Sequence, residues 1–193
     1  MTTKSNEYPL LPVDTRKAWS QWLQRNHKSS EGAWLRFFRK NSGLQDLTYE
    51  QALEEALCYG WIDGQARPND NISWLQKFTP RRPKSVWSKR NRDRVARLIK
   101  EGRMKPAGLK VMEAAREDGR WDKAYDSPAQ MKVPSDFLAA LKKDPGAYRF
   151  YKTLNRANTY AIAWRLQTAK KPETRARRMA TLLAMLSRGE KLH

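Results

Sequence analysis

What most restricts the folds open to this chain is a change in the period of its hydrophobic residues. Two-residue alternation is confined to stretches between residues 33 and 79, whereas from residue 88 onward apolar positions recur every three or four residues. Alternation fits a strand with one buried face, and the longer period fits a helix with one buried stripe. Strands therefore belong to the first half, and the last third has to be helical.

In the first half, Asp14 or Thr15 can cap a helix carrying Ala18, Trp19, Trp22 and Leu23. "AWLRFF" follows Gly32, and Ala33, Leu35 and Phe37 alternate there with Trp34, Arg36 and Phe38, which predicts a strand with one well-buried face. After the turn residues at 41–43, Thr48 and Gln51 have capping-box spacing. Tyr49, Ala52, Leu53, Ala56 and Leu57 form the stripe of the helix they open, and Gly60 is placed to end it. "WIDGQA" at 61–66 and "ISWLQKFT" at 72–79 favour extended structure and are separated by Pro68, Asn69 and Asp70. With 33–38 they predict a small, largely antiparallel sheet.

Ser88 reads as the cap of a helix to about Glu101, with Val95, Leu98 and Ile99 inward, and a further helix spans about 106–118. The tract 122–133, containing Ser127 and Pro128, reads as a linker. Beyond it, helices start at Ser135, at Pro145, in "ANTYAIAWRLQTAK" and at Pro172. The last is lined by Met179, Leu182, Leu183 and Leu186, and Tyr160 and Trp164 are assigned to the core. The expected fold class is α+β: a domain over 1–126 with the small sheet and flanking helices, then an all-helical domain over 127–193.

Charge narrows the function. The chain carries 39 Lys/Arg against 20 Asp/Glu, a net +19, yet residues 1–80 hold ten cations and nine acids, so the excess lies in the later part. Such a field favours an acidic protein or other polyanion, with nucleic acid as the alternative, through attraction that salt weakens. Cys58 is the only cysteine, which excludes an intramolecular disulfide. No secretory core is read near the start and no run reaches membrane-spanning length, so a cytoplasmic location without a membrane span is expected.

The main anion-binding candidates lie in "FTPRRPKSVWSKRN", residues 78–91: Arg81, Arg82 and Lys84 in a proline-stiffened segment, then Ser88, Lys89, Arg90 and Arg94 at the start of the following helix. The competing structural reading pairs Arg81 or Arg82 with an acid of the opening half. Trp87 is either a base-stacking platform or a core anchor. A pocket around Trp61, Asp63, Gln65 and Trp87 is the second candidate, with Asp63 as a general base if burial raised its pKa. The competing reading has it accept hydrogen bonds from turn amides or an arginine of "PRRP". Lys170, Lys171, Arg175 and Arg178 make a secondary basic patch, where Arg177 can pair with Glu173. His27, His193 and Cys58 are too few for a soft-ligand metal cluster, no dinucleotide or P-loop pattern occurs, and no cofactor is expected. Glu54 near Cys58 would raise the thiol pKa and leave it inert.

"LTYEQALEEALCYGWIDGQ", "FTPRRPKSVWSKRN" and "EGRMKPAGL" together resemble the bacterial YdeI/OmpD-associated family, also labelled bacteriocin-protection proteins. The tail, "VPSDFLAAL" with "AKKPETRARRM", looks like that family's C-terminal helical domain. The resemblance covers roughly residues 30–190. It implies a link to antimicrobial-peptide tolerance and stress, and it brings no catalytic residues or cofactor. The expected role is thus a non-catalytic protein that binds an anionic or acidic partner. Nucleic-acid binding through 81–97 is the alternative, and an enzyme acting on a small anion around Asp63 is a weaker one.

Overall fold

The computed structural model describes residues 8–44, 47–126 and 130–192, so Ser127 and Pro128 of the expected linker, and His193, lie outside the described residues. It has a three-stranded antiparallel sheet with flanking helices and a run of C-terminal helices, the α+β class expected from the periodicity. Two compact units divide the chain: Met1–Ser85 with Asn91–Asp122, and Val86–Arg90 with Lys123–His193.

In the first unit, helix α1 (Arg16–Asn26) is capped by Thr15, whose side chain accepts from the Ala18 amide at 3.2 Å. Strand β1 (Ala33–Phe38) is followed by helix α2 (Tyr49–Cys58), whose capping box forms as the spacing predicts. The Thr48 hydroxyl accepts from the Gln51 amide, and the Gln51 side chain accepts from the Thr48 amide. Gly60 closes α2 at φ +77°, a conformation that only glycine adopts without strain. Strands β2 (Trp61–Pro68) and β3 (Ser73–Pro80) complete a sheet of order β1-β3-β2, with Ala33 opposite Phe78 and Trp61 opposite Pro80. The β2–β3 register slips between Asp63 and Ala66. There the Gly64 carbonyl accepts from the buried Gln76 side chain at 2.8 Å, and Gln65 is left exposed.

Trp19, Leu23, Leu35, Leu53, Leu57, Trp61 and Phe78 are almost wholly buried between the sheet and α1 and α2. The Trp19 ring stacks on Trp22 at 5.3 Å, and its indole N–H donates to the Ala52 carbonyl at 3.0 Å, so its one polar atom is satisfied. Trp34 departs from the alternation expected for β1. It is 6% exposed because the Arg67 guanidinium lies 4.4 Å from its ring centre, which covers the face that periodicity left to solvent. Helices α3 (Lys89–Lys100) and α4 (Pro106–Glu117) follow, with Val95, Leu98, Met112 and Ala115 buried. Ile99 is 39% exposed, so the inward stripe of α3 is narrower than its spacing suggested.

The second unit holds α5 (Ser135–Leu141), α6 (Pro145–Lys152), α7 (Arg156–Gln167) and α8 (Pro172–Ser187). Phe137, Leu141, Ala147, Ile162, Leu166, Leu182 and Leu186 form its core. Asp144 and Asn155 cap α6 and α7 through side-chain oxygens. Tyr160 and Trp164 are half-buried rather than core residues, because α7 turns Ile162, Ala163 and Leu166 inward instead.

Candidate functional site

The basic segment is partitioned by its backbone. The Arg81 amide donates to the Gly60 carbonyl at 3.0 Å, which carries the side chain inward. It is 9% exposed, and its guanidinium donates to the Ser85 hydroxyl at 3.3 Å. Arg82 and Lys84 stay exposed in the same unit. Arg94 is half-buried, donates to the Asn91 side chain at 3.2 Å, and places its charge where it acts on Tyr49.

Ser88, Lys89 and Arg90 belong to the second unit with Trp87. Residue 88 bridges to Tyr125, and the backbone exchanges hydrogen bonds on both sides of it, Tyr125 N–H to Trp87 and Lys89 N–H to Tyr125. The Lys89 ammonium meets Asp126 at 2.6 Å, and that contact, with a second from Gln167, holds the Asp126 carboxyl below its ordinary pKa. Trp87 is 2% exposed and offers no face on which a base could stack, whereas Arg90 is exposed.

Among the described residues no turn amide and no arginine of "PRRP" bonds to Asp63, contrary to the sequence reading. Its carboxylate accepts from the Tyr49 hydroxyl at 2.7 Å, beside an aromatic group in which Tyr49 lies 5.8 Å from Trp74 and 6.2 Å from Phe37. Burial first, and then the Asp63 charge, push the Tyr49 phenol well above its ordinary pKa. The fold thus gathers Asp63, Tyr49 and Arg94. Trp61 is buried with its indole N–H on the His27 carbonyl, and Gln65 stands on the exposed bulge.

Sequence reasoning missed the densest charged cluster. Glu54 accepts from Arg16 at 3.1 Å, from Arg103 at 3.0 Å and from Arg97. Glu55, 8% exposed, accepts from Arg16 and Arg103 at 2.8 Å each, and Glu101 adds contacts to Arg97 and Arg103. These pairs are 38–49 residues apart in sequence, except those to Glu101, so local spacing carried no signal for them. The cluster joins α1, α2 and α3 to Arg103 in the turn between α3 and α4, and it neutralises its cations internally. Behind it, Cys58 is 1% exposed, and burial followed by the Glu55 charge pushes its thiol up to about 12. No group of three His, Cys, Asp or Glu side chains among the described residues could hold a metal ion.

In the helical unit, Arg175 forms two bonds to Asp136, at 2.7 and 2.9 Å. Arg178 instead donates to the Arg165 carbonyl at 2.7 Å and lines a small pocket of about 140 Å³ with Arg165, Arg177, Thr181 and Leu182. Among the described residues no carboxylate lines it. Among the described residues no ion pair joins Arg177 to Glu173, and Lys170 and Lys171 are exposed. Of the secondary patch, then, Arg175 is spent on an acid, and Arg178 is organised with two arginines that the patch did not include.

Residues 11–111 match the family model described as a domain of unknown function (DUF8412), and residues 130–189 match the one described as bacteriocin-protection, YdeI or OmpD-associated. The resemblance read over 30–190 is thereby divided. Its three leading sequence blocks fall under the first match, and "VPSDFLAAL" with "AKKPETRARRM" falls under the second. No curated protein and no solved structure matches the chain. No helix among the described residues is long and apolar enough to cross a membrane.

Proposed function

The chain belongs to the domain family of unknown function matched over residues 11–111 and carries, over 130–189, a domain of the bacteriocin-protection, YdeI or OmpD-associated family, and from that premise we propose that it acts without catalysis, by docking an acidic protein partner. The observation that carries this reading is the pocket of Arg165, Arg177 and Arg178. Its volume of about 140 Å³ suits one carboxylate side chain, its lining among the described residues holds no acid, and Arg178 is fixed by the Arg165 carbonyl. A net charge of +19 attracts acidic surfaces over long range and repels cationic peptides. A role in bacteriocin tolerance would therefore run through an acidic partner rather than through capture of such peptides. The proposed location is the cytoplasm, where a lone buried Cys58 needs no oxidising environment.

The nucleic-acid alternative has less support, because Trp87 is buried, Arg81 is turned inward and Lys89 is held by Asp126. The test measures binding of polyglutamate and of single- and double-stranded nucleic acid at low salt and then with added salt. The expected result is polyglutamate binding that salt weakens and that Arg165→Glu with Arg177→Glu weakens at least about tenfold. Absence of polyglutamate binding at low salt, tighter binding to nucleic acid, or an unaffected double variant would each overturn the proposal.

A further inference from the structure

A different cationic site lies wholly in the first unit, at the junction of the end of α1 with the start of α4. A cleft of about 610 Å³ opens there, lined by Lys28, Lys105 and Lys110, by Ser20, Gln24, His27 and Tyr59, and by the first residues of α4, Pro106 and Ala107. Three lysines line it, and among the described residues no acidic side chain does. Glu54 and Glu55, near the end of α2, point into the arginine cluster, and Glu31 and Glu113, each three residues along the chain from a wall lysine, are not part of the lining.

The walls are set by backbone packing rather than by loose side chains. The Lys105 amide donates to the Cys58 carbonyl at 3.1 Å, and Gly108 seats the first turn of α4 directly against the end of α2. Lys105 occupies the N-cap without a side-chain capping bond, and Pro106 follows as the first helical residue. The first-turn amide of Ala107 therefore receives no acceptor from the cap, at the positive end of a twelve-residue helix. Opposite, His27 has Nδ1 2.9 Å from the Leu23 carbonyl. A carbonyl only accepts, so Nδ1 carries the hydrogen and Nε2 is the nitrogen left for a ligand. The imidazole is tilted over Tyr59 at 5.1 Å.

We propose that this cleft binds a small phosphate ester. Its phosphoryl group would sit between Lys105 and Lys110 at the first turn of α4, with Lys28 across from it, and its organic part would run along Ser20, Gln24 and His27. Three cations and a helix end match a dianion better than a single carboxylate. The volume lies within the range of about 300–1,000 Å³ typical of small-molecule sites and exceeds what inorganic phosphate fills. The site is independent of the arginine pocket, which belongs to the other unit.

Calorimetry of the full chain with pyrophosphate and with adenosine monophosphate tests it. The expected result is saturable one-to-one binding, at least about tenfold weaker in the Lys105→Gln, Lys110→Gln double variant and unchanged in Arg165→Glu, Arg177→Glu. These lysines are exposed, so the double variant should keep the wild-type melting temperature; Lys28→Gln, on the opposite wall, gives a separate reading with an expected loss of about threefold or more. Absence of saturation by both probes, wild-type affinity in the lysine variants, or an equal loss in the arginine variant would overturn the proposal, the last by showing a diffuse charge effect. A loss confined to the lysine variants leaves the acidic-partner reading to its own polyglutamate test.

Discussion

The α-carbon of Gly108 lies so close to the backbone of Cys58 that a Cβ built on it would stand 2.3 Å from the Cys58 carbonyl oxygen and 2.8 Å from the carbonyl of Leu57. Both obstacles are main chain, so neither can rotate away. Gly108→Ala should destabilise the fold by about 3 kcal/mol, the upper end of the range for overpacking, and lower the midpoint of urea unfolding. It should also weaken phosphate-ester binding, since the first turn of α4 has to move. A neutral effect on stability would show that α2 and α4 separate freely.

Glu55→Ala removes the more deeply buried of the two carboxylates that Arg16 and Arg103 share, and leaves both guanidiniums on Glu54. Breaking a buried pair costs about 3–5 kcal/mol. The Arg16 and Arg103 side chains are 38% and 26% exposed, and water recovers part of that cost, so a loss of about 2 kcal/mol is expected in chemical unfolding. Simultaneous Arg103→Met should restore part of it, which a double-mutant cycle measures.

Cys58 should react with a thiol reagent only as fast as the protein opens, because the reactive thiolate is suppressed by burial. Its folded-state pKa, about 12, lies above the unfolded value of about 8.5. As pH rises past the lower value the unfolded chain ionises first, so stability that is present below about pH 8.5 falls progressively toward pH 12. Cys58→Ala should flatten this alkaline slope when unfolding is followed from pH 7 to 11.

Asp136 has the opposite sign. The bidentate contact from Arg175 holds its carboxyl below the ordinary value, so its contribution is complete above the unfolded pKa of about 3.9 and is lost as pH falls through the lowered one. Both side chains are substantially exposed, so Asp136→Asn should cost only about 0.5 kcal/mol at pH 7 and less than that at pH 2. An equal loss at both values would place the effect in helix packing instead.

Elements with a local cause were legible beforehand. The Thr48–Gln51 capping box, Gly60 at the end of α2, and Pro145 and Pro172 at the starts of α6 and α8 each act within a few residues of themselves. What escaped depends on partners far along the chain. Trp34 is covered by Arg67 from another strand, and Asp63 is held by Tyr49 from the preceding helix. The inward turn of Arg81 follows from the backbone bond to Gly60. For the same reason the basic segment read as one surface, although its cations have different environments: Arg81 buried, Lys89 on Asp126, Arg82 and Arg90 exposed. The lysine cleft draws on three separate stretches of chain, around residues 20–28, 59 and 105–110, and no spacing rule connects them.

The short piece Val86–Arg90 has a practical corollary. Because Trp87 and Lys89 share backbone hydrogen bonds with Tyr125, and the Lys89 ammonium grips Asp126, the helical half is not a cassette that can be transplanted by cutting at a single point. A fragment starting at residue 123 leaves behind the stitch that its own leading edge is sewn to. Chimeras between relatives should therefore exchange residues 86–90 along with the tail.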